Sequence, residues 1–181
     1  MALPRFGAAI VTALALGTAA SLAQEDDIFS FIPPGGRSLL ETAQASGLPD
    51  GFAARLSSEK GDTEFWRGEI DSAGGLSLQS WELDTLAQYL AVRAPIDPAA
   101  DLPRDGRDLA MQLCQSCHII TVVITQSRAR EAWLGTMQSP SHIEIKMTPE
   151  ERGLLADYLV LNAGIPIDEV PQALRAGGAS Y

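Results

Sequence analysis

Apolar residues recur at helical spacing in two stretches of the chain. Near the C-terminal end, Leu154, Leu155, Tyr158 and Leu159 form one apolar stripe. Thr148 precedes it as an N-cap, Pro149 takes the first helical position, and Glu151 closes a capping box. This predicts a terminal helix that ends near Asn162-Ala163-Gly164. Earlier, Trp81-Glu82-Leu83-Asp84-Thr85-Leu86-Ala87-Gln88-Tyr89-Leu90 reads as a similar helix, stopped by Pro95. Pro33-Pro34-Gly35-Gly36 marks residues 24–37 as a loop leading in. A Pro-, Asp- and Ala-rich linker at 95–103 separates the two helix-rich stretches.

The two helices can be superimposed as sequences. At an offset of 69, Glu82, Leu86, Ala87, Tyr89 and Leu90 match Glu151, Leu155, Ala156, Tyr158 and Leu159. At an offset of 70, Gly36-Arg37-Ser38-Leu39 resembles Gly106-Arg107-Asp108-Leu109. An internal repeat of about 70 residues is the expectation. The alternative is two unrelated amphipathic helices that share common helix formers.

Composition places the chain in a class. Its 181 residues, 46% hydrophobic and 20% charged, suit one ordinary globular domain or two small ones. The formal charge of −10, with no long basic run, argues against a nucleic-acid partner. Residues 1–23 carry Arg5, an apolar run from Gly7 to Leu16, and small residues ending Ser21-Leu22-Ala23. They read as a secretory signal peptide cleaved after Ala23, or as an uncleaved signal anchor. The acidic Gln24-Glu25-Asp26-Asp27 that follows is unlike a cytoplasmic flank. A periplasmic or otherwise exported protein is expected, soluble and without a stable membrane span after cleavage.

Candidate chemistry is concentrated in Cys114-Gln115-Ser116-Cys117-His118, behind the helical-looking run Gly106 to Leu113. C-x-x-C-H is the pattern of c-type haem attachment. Two thiols three positions apart can reach the two vinyl groups along one porphyrin edge, and the adjacent imidazole can reach the iron. The attached disc also supplies core that a short domain lacks, so the second half is expected to fold poorly without it. Three other readings compete. A dithiol redox pair would need a βαβ context. A zinc site could draw on Cys114, Cys117, His118 and His142, although adjacent Cys117 and His118 chelate one ion awkwardly. The third is a plain disulfide.

A helix, C-x-x-C-H, a loop, a further helix near Arg130-Glu131-Ala132-Trp133-Leu134, and a terminal helix with Tyr158-Leu159 together resemble the class I cytochrome c domain over residues 101–170. That resemblance implies an all-α fold around one covalent haem c, with the first and last helices crossing beside it. It implies His118 as the proximal iron ligand, a Met on the other face, and one-electron transfer with redox protein partners. For that Met, Met147 is the first choice: Gln138-Ser139-Pro140, a short extended run, then Lys146-Met147 resembles the family's helix-Pro-loop-Met order. It stands closer to the final helix than the family usually places it, and its other reading is a hydrophobic staple before Thr148. Met137 and His142 are the alternatives. Met137 could simply pack beside Trp133, and His142 would make a bis-His centre of lower potential. Met111 reads as core. Trp133 reads as core or haem-edge packing. Arg128 and Arg130 could pair with haem propionates or lie solvated at the surface.

In the first half, positions aligned with the haem motif fall near Ala43-Gln44-Ala45-Ser46-Gly47, which carry neither thiols nor imidazole. Residues 38–100 therefore read as a helical, degenerate cytochrome-like repeat, with Trp66 and Trp81 filling space that a porphyrin would take. Residues 171–181 read as a tail, with Gly177–Tyr181 flexible. The expected function is a periplasmic monohaem electron carrier, or the cytochrome subunit of an exported dehydrogenase or oxidase complex, rather than an enzyme. Its acidic charge favours partners with basic docking surfaces. The alternatives are a haem enzyme with a displaceable sixth ligand, and a gas or redox sensor.

Overall fold

The computed structural model describes residues 28–175. The candidate signal segment 1–23 and the Gly177–Tyr181 tail lie outside the described residues. Ile28–Ser30 group with the segment before them, and the described chain from Phe31 onward forms one compact unit. No strand occurs among the described residues, so this unit is all-α.

The first half contains α1 (Gly36–Ser46), α2 (Phe52–Ser58), α3 (Thr63–Ala73) and α4 (Ser80–Arg93). The second contains α5 (Gly106–Leu109), which continues as a π-helical turn over Ala110–Cys114, then α6 (Thr121–Ile124), α7 (Arg130–Met137) and α8 (Pro149–Asn162). Helix α1 begins within the expected 24–37 loop. The capping box predicted for α8 forms: Glu151 N donates to Thr148 Oγ1 at 3.1 Å, and Thr148 N donates to Glu151 Oε2 at 2.9 Å. Within the halves, α1 and α3 pack on α4, while α5 and α7 pack on α8. Between them, α4 packs on α8.

The halves repeat one another in their packing. In the first, α1 crosses α4 so closely that a Cβ on Gly36 would collide with Tyr89 Cβ and lie 2.7 Å from its Cγ. In the second, a Cβ on Gly106 would collide with Tyr158 Cβ and lie 2.8 Å from its Cγ. After each final helix the chain returns to the second helix of its own half. Ile96 N donates to Leu56 O at 2.8 Å, and Gly164 N and Ile165 N donate to Ile124 O at 2.8 and 3.1 Å. The tyrosine hydroxyls then reach across: Tyr89 Oη donates to Pro103 O at 2.8 Å and Tyr158 Oη to Pro33 O at 2.7 Å.

In the first-half core, Leu40, Leu56, Trp66, Leu86 and Leu90 are fully buried. Trp66 meets Phe52 and Phe65 edge-on, with ring centroids 6.5 and 5.3 Å away. Trp81 departs from expectation. It is half-buried, and its Nε1 donates to Gln79 Oε1 at 3.0 Å. Met111, expected in the core, is half-buried in the π-turn, where the wider winding shifts side chains off the α-helical stripe. The described part of the expected tail is docked: Thr121 Oγ1 donates to Leu174 O at 2.5 Å, next to buried Val170.

One carboxylate ties the two halves at their helix starts. Asp105, 1% exposed, accepts from Asp108 N at 2.8 Å and so caps α5, while its other oxygen accepts from Arg37 N at 2.8 Å in the first turn of α1. Gly35, the N-cap of α1, has no side chain to offer, and a Cβ there would collide with the Asp105 carboxylate. Asp105→Ala therefore removes two caps at once and should cost about 2 kcal/mol, twice an ordinary cap. Burial, with repulsion from Asp108, holds the Asp105 carboxyl above the usual aspartate range despite the bonds from Asp108 and Arg37. The folded state thus binds this proton more tightly than the unfolded chain. Its contribution to stability is greatest below the ordinary aspartate pKa and falls as pH rises from there through the raised folded value. Urea titrations across the acid range should show that slope, and Asp105→Asn should lack it.

Candidate cofactor site

The Cys-x-x-Cys-His run folds as a tight turn at the end of the π-helical segment. Cys117 N and His118 N both donate to Cys114 O at 3.3 Å, and Ser116 Oγ donates to Leu113 O at 2.7 Å. Gln115 Oε1 accepts from Ile120 N at 3.1 Å and fixes the turn to the start of α6. Cys114, Cys117 and His118 all line one cavity. Cys114 is half-buried, Cys117 and His118 are exposed, and both thiols are free. Burial, aided by the neighbouring Cys117, pushes the Cys114 thiol up to about 11, so it is held protonated at neutral pH.

The cavity has a volume of about 230 Å³ and is partly open to solvent. Its walls are mainly apolar. Val122 and Val123 come from α6, Trp133 and Met137 from α7, and Leu155 and Leu159 from the inward stripe of α8. Ile145 and Met147 come from the segment before α8. That segment, expected to run extended after Pro140, instead winds through successive turns: His142 N donates to Ser139 O at 2.9 Å and Ile145 N to His142 O at 3.0 Å.

All three residues considered for a distal ligand face this space. Met137 and Met147 are buried, and His142 is half-buried. The His142 Nδ1 lies 3.0 Å from Ser139 Oγ and 3.1 Å from Ser141 Oγ, which engages one ring nitrogen and leaves Nε2 as its available donor atom. Among the described residues, no three His, Cys, Asp or Glu side chains are grouped to hold a metal ion. Cys114, Cys117, His118 and His142 share the cavity without converging as a tetrahedral set.

The two arginines separate. Arg130 turns to α8 and pairs with Asp157 through Nε and Nη2, which raises its already high pKa further. Arg128 lines the cavity and stacks 5.1 Å from the centre of the Trp133 ring. Its Nη1 donates to Thr136 Oγ1 at 2.9 Å, and Nη2 meets Gln126. Among the described residues it makes no ion pair with a carboxylate. Trp133 is 4% exposed, and its Nε1 has no hydrogen-bond partner. A buried N–H left unpaired costs about 1–3 kcal/mol, while the Arg128 guanidinium at the cavity, with no carboxylate partner, suits an anionic group of a cofactor. The donor set, the apolar walls and the unpaired Arg128 fit a haem.

The sequence does contain a signal for Trp133 that the helical repeat missed. At an offset of 67, Trp66 and Ile70 on α3 match Trp133 and Met137 on α7, and Trp66 Nε1 is likewise buried without a partner. Comparison with known protein families, curated proteins and solved structures finds no match for this chain.

Proposed function

We propose that this protein is an exported monohaem c-type cytochrome that passes single electrons between redox protein partners, as a free carrier or as the cytochrome subunit of an exported dehydrogenase. The observation that carries the reading is the meeting of Cys114, Cys117, His118 and Met147 in one apolar cavity with both thiols free. Cys114 and Cys117 would hold the haem as thioethers, His118 would be the proximal ligand and Met147 the distal one. Bound there, haem supplies a one-electron iron couple. A thioether ligand raises its potential relative to a second imidazole, and the valine and leucine walls exclude water, which disfavours the more highly charged ferric form. Arg128 would receive a carboxylate of the haem.

The test is a visible spectrum with a pyridine haemochrome assay, on protein exported with a cytochrome c maturation system. One covalent haem with the weak far-red band of a ferric Met–iron bond is expected. Met147→Ala should abolish that band and Met137→Ala should keep it. Loss of the band only in Met137→Ala would move the ligand to α7. A high-spin spectrum that shifts with carbon monoxide or cyanide would favour the enzyme or sensor reading, and absence of covalent haem would end the cytochrome reading.

A further inference from the structure

The cysteine-bearing helix starts in a segment that the other half of the molecule grips. Over Pro103–Asp108 the acceptors are of the second half and the donors of the first. Tyr89 Oη donates to Pro103 O at 2.8 Å. Arg93 Nε and Nη2 both donate to Arg104 O, at 3.2 and 3.0 Å. Arg37 donates twice, from its backbone N to Asp105 Oδ2 at 2.8 Å and from Nη2 to Asp108 Oδ1 at 3.1 Å. Each of these donors is on α1 or α4.

The remaining freedom of this segment is small. Gly106 lies directly against Tyr158 on α8, so the segment cannot move towards α8 without a clash. From Asp105 the segment runs nine residues to Cys114, four in α5 and five in the π-helical turn, so the distance is at most about 13 Å. A shift at its start is therefore passed along a short rigid rod to the thiols and to His118. A misplacement of 1 Å is enough to disturb a site of this kind.

We propose that the first half is a clamp that places the Cys114–His118 segment, with Tyr89, Arg93 and Arg37 as its positioning residues. This goes beyond a degenerate repeat whose own cofactor space is filled by side chains. It gives the half without cysteines a mechanical task in the half that has them. Its meaning for the haem rests on the cytochrome reading, but the grip itself is a property of the protein chain.

The experiment uses the full exported chain and a double variant, Tyr89→Phe with Arg93→Gln, which removes three of the five bonds, together with the Arg93–Glu150 ion pair to α8, and leaves the Tyr89 ring packed on Gly36. Tyr89→Phe alone is the milder companion, since it loses one hydroxyl. Arg67→Gln breaks an ion pair with Asp84 inside the first half and serves as the control. Amide hydrogen exchange is followed at Leu109–Cys114, and the reduction potential of attached haem is recorded for each protein. In the double variant these amides should exchange at least tenfold faster and the potential should shift. Tyr89→Phe should move both in the same direction by less, Arg93→Lys should restore part of the loss, and Arg67→Gln should leave both unchanged. Unchanged exchange in the double variant, or equal acceleration in Arg67→Gln, overturns the clamp. If wild-type protein carries no covalent haem, the cytochrome reading falls and the exchange data alone decide the clamp.

Discussion

Replacing both cysteines, Cys114→Ser with Cys117→Ser, will yield exported protein without covalent haem and with a second half that no longer melts cooperatively. The physical reason is the cavity. Val122, Val123, Leu155 and Leu159 line a partly open space of about 230 Å³ that the polypeptide itself does not fill, so these walls lack packing partners on that side. A covalently held disc acts as a ligand at saturation, and by linkage its loss removes at least about 4 kcal/mol, the value for a ligand at a thousand times its Kd. The first half has its own core around Trp66, Leu40 and Leu90 and should keep its helical signal. Mass spectrometry of the intact chain and urea melts followed by circular dichroism read both effects. A serine variant as stable as the wild type would show that the cavity needs no guest and would remove the argument for haem.

The second large effect belongs to two glycines. Gly106→Ala should destabilise by about 3 kcal/mol, the upper part of the range for forcing extra volume into a packed contact, and Gly36→Ala by a similar amount. In both, the new methyl meets Cβ of a tyrosine whose ring is buried and whose hydroxyl is bonded, so neither helix can yield without losing the crossing. Alanine's helix advantage of about 1 kcal/mol does not offset this. Gly68→Ala and Gly135→Ala are matched controls, because a Cβ at either position meets nothing within 4 Å. They should be neutral or stabilising by about 0.5–1 kcal/mol. Denaturant midpoints for the four variants test the crossing. If all four behave alike, steric closeness at the crossings is not what selects glycine.

Around those two crossings, much of the local structure is legible in the sequence. Tyr89, Tyr158 and the capping box of α8 stand on helices where the apolar pattern places them, whereas Gly36, read within the loop 24–37, opens α1. The lining of the site was legible in its reactive residues, because Cys114, Cys117, His118, Met137, His142 and Met147 announce themselves by type. Other features depend on orientation, which residue type does not encode. Arg128 and Arg130 are two positions apart, yet Arg128 precedes α7 and folds back over Trp133, while Arg130 opens the helix and faces Asp157. Met111 fell outside the core because the π-turn breaks the period on which its placement relied. The pairing of Trp66 with Trp133 was hidden by loops of unequal length, which move the offset from 70 to 67 and then to 69 along the repeat.

Asp105 has a consequence for how this molecule can change. Symmetrical halves are interchangeable in principle: either can be lost, copied or traded for a fresh version. Here α1 has glycine where α5 has aspartate, and the missing cap comes from the other half's side chain. A first half transplanted elsewhere would arrive with an unprotected helix start, and a second half alone would carry a buried carboxylate with one of its donors gone. The sharing of one side chain couples the two helix starts, so that a substitution at Gly35 or Asp105 is felt in both halves at once.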